Sequence, residues 1–195
     1  MSEPSRPSAG AAARERGPGG PGPLLVLVGA PASGKTTVGT AVAAALGLAF
    51  RDTDADVEAE TGTTVADLFV NAGEPYFRGL EEAAVARALT EHDGVLALGG
   101  GAVTSAATRQ LLVDHARAGA QVLWLDVDVA SAAKRAGLSR DRPLLAVNPR
   151  AMLRTMLEAR APLYAEVATV TVPTSGRPVE EVVAEVLAAV GSVQR

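Results

Sequence analysis

The sequence predicts a single α/β domain with a five-stranded parallel sheet, helices on both faces of the sheet and a mobile lid. Two observations carry this prediction. Short apolar runs alternate with longer stretches of helical character from residue 24 onward, which is typical of parallel strands joined by helices. A glycine-rich turn directly follows the first apolar run, at residues 29–37. Together they indicate a ligand site at the carboxyl edge of the sheet, where open α/β folds bind ligands.

The predicted elements can be taken in chain order. The five apolar runs that we interpret as strands are residues 24–28, 49–51, 94–98, 121–125 and 168–172. The final helix is the clearest: Pro178 lies near its first turn, and apolar residues then recur at helical spacing. These apolar residues are Val179, Val182, Val183, Val186, Leu187 and Val190. No internal repeat and no linker divides the chain after residue 23, so we expect one domain over residues 23–195.

Composition excludes several classes of protein. The chain of 195 residues has a net charge of -4, which argues against nucleic acid as the main partner. No stretch is long and apolar enough for a membrane span, and the absence of cysteine excludes disulfides. Residues 1–22 are rich in Pro, Gly, Ser and Ala and have no apolar signal-peptide core, so we expect a disordered extension and a cytoplasmic protein.

The glycine-rich turn has the form of a phosphate loop (P-loop). Residues 29–36 read G-x-x-x-x-G-K-T between a buried strand and a helix, the context in which backbone N–H groups cradle a polyphosphate. Lys35 can reach the β- and γ-phosphates, and Thr36 can place its hydroxyl on Mg²⁺. Only two of the 18 basic residues are lysine, and one of them occupies the position where the motif requires it.

Two aspartates follow the second predicted strand, and their spacing leaves two interpretations open. Asp52 and Asp54 can divide the tasks of ordering the water around Mg²⁺ and receiving a proton from a hydroxyl group. Alternatively, an Asp-x-Asp sequence before a helical segment provides an N-cap. Asp126 ends the fourth apolar run as a metal-binding aspartate would, but its late position in the chain favours a structural role.

Further along the chain, glycines and arginines predict the second half of a site. Gly99-Gly100-Gly101 ends the third strand and allows backbone groups to approach a small polar ligand, although a flexible turn is the alternative. Arg78, Arg142 and Arg160, if they converge, would bind carboxylate or phosphate groups. Residues 137–148 have the composition of a lid, which in a kinase excludes water from the nucleotide.

Taken together, these motifs resemble those of the shikimate kinases. The similarity extends from about Leu24 to Val190 and consists of six segments in the same order and spacing as in the family: GAPASGKTT, DTDADVE, GEPYFRGLEE, LALGGGAVT, RPLLA and RAPLYAEVA. The resemblance implies transfer of the γ-phosphoryl group of ATP, with Mg²⁺, to the 3-hydroxyl of shikimate. This reaction belongs to aromatic amino-acid biosynthesis.

The resemblance also implies the role of individual residues. ATP would be bound by Pro31, Ala32, Ser33, Gly34, Lys35, Thr36, Thr37, Arg135, Arg142 and Arg177. Shikimate would be bound by Asp54, Arg78, Gly99, Gly100, Gly101 and Arg160. Lys35, Asp54 and Arg142 would be catalytic, while Thr36 and, through water, Asp52 would hold Mg²⁺. Arg140 gives the lid a second cation, and Arg177 lies in the most variable segment of the match.

Two other functions fit part of the sequence. A gluconate or nucleoside monophosphate kinase would share the phosphate loop, but we do not expect it to carry the GE-x-x-FR, GGGAV and R-x-P-L-Y segments together. A nucleotide-binding protein without catalysis would not need an acceptor site. The family resemblance and the lack of a heptad pattern favour a monomer.

Overall fold

Five parallel strands form one sheet in the computed structural model, which describes residues 22–137 and 148–193. The strands are β1 (Leu25–Val28), β2 (Phe50–Asp52), β3 (Val95–Ala97), β4 (Gln121–Asp126) and β5 (Val170–Pro173). Their order across the sheet is β2-β3-β1-β4-β5, and every neighbouring pair is parallel. Each strand overlaps a predicted apolar run, so the predicted fold class is confirmed.

Helices connect the strands. They are α1 (Lys35–Leu46), α2 (Thr53–Thr61), α3 (Val65–Asn71), α4 (Glu74–Glu91), α5 (Ala106–Arg117), α6 (Val129–Arg135), α7 (Pro149–Val167) and α8 (Val179–Val193), with a 3₁₀ turn at Ala102–Thr104. None of the helices in the two described ranges has the length and hydropathy needed to cross a lipid bilayer.

Alternate residues of the strands build two separate cores. Val26 and Val28 of β1 face α4, α5 and α7, while Leu25 and Leu27 face α1 and α8. Because both faces of the sheet are covered, the central strand β1 and its neighbour β3 are apolar and buried at every position rather than at every second one. β1 lies at the centre of the sheet and is completely buried, which fixes the loop that follows it between two layers of helices.

The helix pattern of the C-terminal segment is confirmed. Val182, Val186 and Val190 are buried one turn apart along α8 and pack with α1 and the sheet. The residues between them are partly or fully exposed, as the helical period requires.

A small helical layer between β2 and β3 forms a third core. Val57 of α2, Leu68 of α3, and Phe77 and Ala84 of α4 are buried against one another. The rings of Phe69 and Phe77 lie 4.7 Å apart. The sequence analysis did not predict this layer as a separate unit, and it forms one wall of the site described below.

Two predictions fall mainly outside the described residues. The lid at residues 137–148 is described only at its two ends, so Arg140 and Arg142 lie outside the described residues. Of the predicted N-terminal extension at residues 1–22, only Gly22 is described. Both remain predictions.

Candidate active site

The phosphate loop occupies the turn between β1 and α1. Gly29 and Gly34 have φ values of 149° and 100°, and Ala32 has a φ of 63°, so the turn needs backbone conformations in the left-handed half of the Ramachandran map. Ser33 N donates a hydrogen bond to Ala30 O at 3.2 Å, which closes the turn. The first turn of α1 carries no acidic residue, so its positive helix end is free to attract an anion.

Lys35 begins α1 and folds back over the loop. Its Nζ donates hydrogen bonds to Gly29 O at 2.8 Å and Ala30 O at 3.0 Å. Burial lowers the pKa of Lys35 to about 8, against the opposing charges of Asp54, Asp52 and Glu81. Two backbone oxygens of the phosphate loop therefore hold the Lys35 ammonium in place. A bound polyphosphate would favour the charged form of the lysine.

Asp52 is the N-cap of α2 and also contacts the phosphate loop. Its Oδ1 accepts a hydrogen bond from Asp54 N at 3.0 Å, which caps α2. Its Oδ2 accepts a hydrogen bond from Thr36 Oγ1 at 3.0 Å, which joins the end of β2 to the phosphate loop. A helix cap and a contact to the loop thus use different oxygens of one carboxylate.

The oxygen pair of Thr36 and Asp52 fits a Mg²⁺ ion. Mg²⁺ prefers oxygen ligands and is usually held by one or two protein groups together with substrate phosphates and water. Among residues 22–137 and 148–193, no cluster of three or more acidic or histidine side chains forms a metal cage. A site of this kind would therefore depend on the nucleotide for most of its ligands.

Asp54 lies in the first turn of α2 instead of in an extended segment after β2. In an extended strand, side chains two residues apart share a face, but β2 ends at Asp52 and α2 begins at Thr53, so this relation does not apply to Asp52 and Asp54. Burial and the charges of Asp52 and Glu81 raise the pKa of Asp54 to about 6, while Lys35 opposes this shift. A carboxylate with this pKa accepts a proton more readily than an ordinary aspartate does.

Each glycine in the Gly99-Gly100-Gly101 run is required by a different neighbour. A β-carbon on Gly99 would lie closer than 3.0 Å to carboxylate oxygens of Asp54 and Glu81. A β-carbon on Gly100 would lie 2.7 Å from Pro31 Cδ, and one on Gly101 would collide with the guanidinium of Arg78. The run therefore packs against the phosphate loop and three charged side chains, and a side chain at any of its positions would displace one of these neighbours.

The backbone N–H of Gly99 does not face a ligand. It donates a hydrogen bond to the hydroxyl of the buried Thr53 at 3.0 Å. Gly100 takes part through its carbonyl oxygen, which accepts hydrogen bonds from Arg160 Nη1 at 3.1 Å and from Tyr164 Oη at 2.6 Å. The sequence analysis assigned the run to ligand contact by backbone N–H groups and did not find these internal bonds.

Arg78 and Arg160 meet at one cavity beside the phosphate loop. The cavity has a volume of about 330 Å³, and Arg78, Arg160, Asp54, Gly100, Gly101 and Pro31 are among its lining residues. Arg78 Nη2 donates to Glu74 Oε1 at 2.9 Å, and its guanidinium lies 5.5 and 5.4 Å from the ring centres of Phe69 and Phe77. Two arginines and a carboxylate in one cavity suit a small acceptor with an anionic group and hydroxyls.

Glu81 is a residue of this site that the sequence analysis missed. It is 2% exposed, pairs with Arg78 through Oε2, and leaves Oε1 without a hydrogen-bond partner in the described structure. Burial raises the pKa of Glu81, although the hydrogen bond and charge of Arg78 oppose this. Its position could have been noticed, because it falls on the apolar stripe of α4 between Phe77 and Val85, where a charge is unusual.

The two arginines expected near the nucleotide have different surroundings. Arg135 Nη1 donates to Ala32 O at 3.2 Å, and Nη2 donates to Thr174 O at 2.6 Å, so Arg135 joins the phosphate loop to the segment after β5. Arg177 instead pairs with Glu185 at 2.6 Å and lies near Glu181 at 3.8 Å, both on α8. Arg135 is thus placed on the loop itself, while Arg177 is held by helix carboxylates.

Asp126 ends β4, which is separated from β2 in the sheet by β3 and β1. Its carbonyl accepts hydrogen bonds from the N–H and the hydroxyl of Thr174, and its side chain borders a separate cavity of about 270 Å³ with Trp124. This arrangement agrees with the structural role expected from the sequence.

A phosphate loop that faces an arginine-lined acceptor cavity across Pro31 and Gly100 defines an ATP-dependent phosphotransferase, a kinase of the phosphate-loop class. The family model described as Shikimate kinase matches residues 31–191, and the chain belongs to that family. The resemblance found in the sequence motifs is thereby confirmed.

Individual relatives agree with this assignment. The chain is 57% identical over 130 residues to a shikimate kinase from Frankia casuarinae, an alignment covering 67% of this chain and 56% of the relative. It is 55% identical over 126 residues to a shikimate kinase from Streptomyces avermitilis, covering 65% and 71% of the two chains. The aligned part of this chain thus corresponds to little more than half of the length of the Frankia protein. A solved shikimate kinase from Acinetobacter baumannii in complex with shikimate is 35% identical, with a TM-score of 0.78, covering 88% of this chain and 94% of that one.

Proposed function

We propose that this chain transfers the γ-phosphoryl group of ATP to the 3-hydroxyl of shikimate, giving shikimate 3-phosphate and ADP in aromatic amino-acid biosynthesis. The observation that carries the proposal is the cavity in which Arg78, Arg160 and Asp54 lie together beside Pro31 of the phosphate loop. Shikimate has one carboxylate and several hydroxyls, which two arginines and a carboxylate can bind. The Acinetobacter relative with bound shikimate supports the same acceptor.

On the nucleotide side, we propose the residue roles that the family resemblance implies. Lys35 and the backbone N–H groups of the phosphate loop would bind the phosphates, and Arg135 would lie beside them, since it already contacts Ala32 O and Ser33 O. Arg177 would have to leave Glu185 to reach the nucleotide, so its role is the weaker proposal. Arg142, outside the described residues, is proposed to reach the transferred phosphoryl group from the lid.

Thr36 and Asp52 are the residues that we propose to hold Mg²⁺, Thr36 directly and Asp52 through water. Their side-chain oxygens lie 3.0 Å apart at the end of the phosphate loop. The ion would neutralise charge on the β- and γ-phosphates when it is bound with the nucleotide.

On the acceptor side, Arg78 and Arg160 would grip the shikimate carboxylate and Asp54 would accept hydrogen bonds from the hydroxyls. The 3-hydroxyl oxygen then forms a bond to the γ-phosphorus, the bond to the bridging oxygen of ADP breaks, and the hydroxyl proton passes to Asp54. The raised pKa of Asp54, about 6, favours this acceptance. Because phosphoryl transfer proceeds through a loose transition state, most of the rate would come from positioning and charge neutralisation.

We further propose that the protein works as a cytoplasmic monomer, a proposal supported by the composition of the chain, the family resemblance and the lack of a heptad pattern. Its substrates would be ATP and shikimate, with no nucleic-acid or membrane partner.

A coupled ADP-release assay with a panel of acceptors tests the proposed function. The panel consists of shikimate, quinate, gluconate and AMP, each with ATP and Mg²⁺. We expect shikimate-dependent ADP release and formation of a shikimate phosphate ester, with little release from the other acceptors. Release with gluconate or AMP alone would instead identify a related kinase. ATP binding without release for any acceptor would identify a nucleotide-binding protein without this activity.

A further inference from the structure

Tyr164 of α7 is buried and lines the cavity of about 270 Å³ beside Trp124, not the cavity that contains Arg78 and Arg160. It is 2% exposed, and its ring stacks on Trp124 with 5.7 Å between the ring centres. Its hydroxyl donates a hydrogen bond of 2.6 Å to Gly100 O. A buried tyrosine hydroxyl needs a hydrogen-bond partner, so the position of the Gly100 carbonyl and that of the tyrosine depend on each other.

The carbonyl of Gly100 is shared between two donors from α7. Arg160 precedes Tyr164 by four residues, so both side chains leave the same face of the helix. Arg160 Nη1 donates to Gly100 O at 3.1 Å, beside the bond from Tyr164. The arginine that would bind the acceptor carboxylate is therefore oriented in part by a carbonyl that the tyrosine holds in place.

The hydrogen bond from Tyr164 orients the whole Gly100–Gly101 peptide group, not only its carbonyl. The Gly100–Gly101 peptide is trans, so its C=O and N–H point to opposite sides. The hydrogen bond from Tyr164 therefore also fixes the direction of the Gly101 N–H. On its other side, Gly100 touches the phosphate loop, since a β-carbon there would lie 2.7 Å from Pro31 Cδ.

We propose that Tyr164 is a positioning residue for phosphoryl transfer, holding the Gly100–Gly101 peptide and Arg160 where the acceptor needs them. Tyr164 is not among the residues that line the acceptor cavity, so it acts through its neighbours. The inference rests on the proposed function, because it takes shikimate as the acceptor. Burial raises the pKa of Tyr164 to about 12, so its hydroxyl remains a donor throughout the neutral and mildly alkaline range.

The variant Tyr164→Phe tests the proposal, because it removes one hydroxyl and keeps the ring on Trp124. We expect kcat/KM for shikimate to fall about tenfold, as for loss of one buried hydrogen bond, and KM for ATP to change less than about twofold. The matched control is Tyr76→Phe, since Tyr76 is the only other tyrosine and is 55% exposed. We expect this control to behave like the wild type.

A second variant separates positioning from packing. Trp124→Phe weakens the stack on Tyr164 but keeps the Tyr164 hydroxyl, so we expect it to lower the melting temperature and leave KM for shikimate unchanged. Trp124 is the only tryptophan, and an unchanged emission maximum in Tyr164→Phe would show that the polarity around its indole ring is preserved.

Three outcomes would overturn the proposal. The first is a wild-type kcat/KM in Tyr164→Phe, with shikimate turnover by the wild-type enzyme intact; this leaves the proposed function standing. The second is an equal loss for shikimate in Trp124→Phe, which would show a packing effect. The third is no shikimate turnover by the wild-type enzyme, which removes the proposed function and this inference with it.

Discussion

Asp54 and Glu81 reach the same backbone position from two different helices. Asp54 lies in the first turn of α2 and Glu81 in the middle of α4, yet a single methyl group on Gly99 would collide with carboxylate oxygens of both. Two carboxylates this close to each other raise the cost of ionising either one, and the charge of Glu81 is one cause of the raised pKa of Asp54. The absence of a side chain at Gly99 thus leaves the gap that the carboxylates of Asp54 and Glu81 occupy.

The variant Gly99→Ala fills that gap. We expect it to push both carboxylates away from the cavity, to lower kcat/KM for shikimate by about 100-fold or more, and to cost about 1–3 kcal/mol in stability. Steady-state kinetics and thermal unfolding measure the two effects. Gly79→Ala is the matched control, because a β-carbon at Gly79 meets nothing within 4 Å and the residue is exposed on α4. We expect Gly79→Ala to raise the free energy of unfolding by about 0.5–1 kcal/mol. A wild-type kcat/KM for shikimate in Gly99→Ala would show that Asp54 and Glu81 do not require a glycine at this position.

The buried carboxylate of Glu81 predicts a pH-dependent difference in stability. The pKa of Glu81 is raised above its ordinary value of 4.5 in the folded protein. Between pH 4.5 and this raised pKa, the folded state therefore binds more protons than the unfolded state. The wild type therefore loses stability as the pH rises from 4.5 through the raised pKa, and Glu81→Gln does not lose this contribution.

We expect the melting temperature of Glu81→Gln, relative to the wild type, to increase with pH across that interval. An effect of about 1 kcal/mol corresponds to about 2–4 °C in a chain of this size. Scanning calorimetry at several pH values measures it, with Glu82→Gln on the exposed side of α4 as the control. The same Glu81 variant should raise KM for shikimate, because Arg78 loses a charged anchor. A difference in melting temperature between Glu81→Gln and the wild type that does not change with pH would contradict the prediction.

The sequence predicted the sheet and the phosphate loop because both depend on local patterns. Continuous apolar runs such as residues 24–28 give the strands, and the glycines with Lys35 give the loop between strand and helix. The helical layer around Phe77 was not predicted, because its core forms between three short helices whose packing no single segment reveals.

The candidate site shows the same limit. Arg78, Arg160 and Asp54 were expected to converge, and one cavity contains all three. Glu81 and Tyr164 belong to motifs that the sequence analysis quoted, but their roles depend on distances to Gly99 and Gly100, which are distant in the sequence. Likewise, the raised pKa of Asp54 follows from burial beside two other carboxylates, so it is a property of the folded protein and not of the motif.

Replacing Lys35 tests the phosphate loop. We expect Lys35→Ala to lower turnover by about 100- to 1,000-fold or more, because a charge at the developing phosphoryl group is lost from a partly dry site. Lys35→Arg should be almost as poor, because the planar guanidinium cannot take the place of an ammonium bonded to Gly29 O and Ala30 O. Lys134→Ala is the matched control, since Lys134 is the only other lysine and is exposed on α6. Retained turnover in Lys35→Ala would remove Lys35 from the catalytic residues.

Arg78 should contribute to acceptor binding and little to ATP binding. We expect Arg78→Ala to weaken shikimate binding by about 2–5 kcal/mol, part of which reflects Glu81 left buried without its partner. KM for ATP should remain within about twofold. Arg87→Ala on the same helix is the control, because the Arg87–Glu60 pair is exposed and such pairs contribute about 0–1 kcal/mol. An unchanged KM for shikimate in Arg78→Ala would exclude Arg78 from the acceptor site.

The helix-capping role of Asp52 and its proposed role at Mg²⁺ can be separated by one substitution. Asparagine caps a helix about as well as aspartate, so Asp52→Asn should keep the hydrogen bond to Asp54 N and leave the melting temperature close to that of the wild type. It removes the negative charge that faces Thr36 Oγ1 and the proposed Mg²⁺ position. We expect the Mg²⁺ concentration for half-maximal activity to rise about tenfold or more, measured at saturating shikimate with ATP held constant.

Asp52→Ala completes this comparison, because alanine loses both functions. It should show the same shift in Mg²⁺ requirement and in addition lose about 1 kcal/mol of stability through the missing cap. The control is Asp128→Asn, which changes the N-cap of α6 in the same way, where Asp128 Oδ1 accepts from Ser131 N. It should leave the Mg²⁺ requirement unchanged. If Asp52→Asn had a wild-type Mg²⁺ dependence and only Asp52→Ala lost stability, Asp52 would be a helix cap alone, and the metal would depend on Thr36 and the nucleotide.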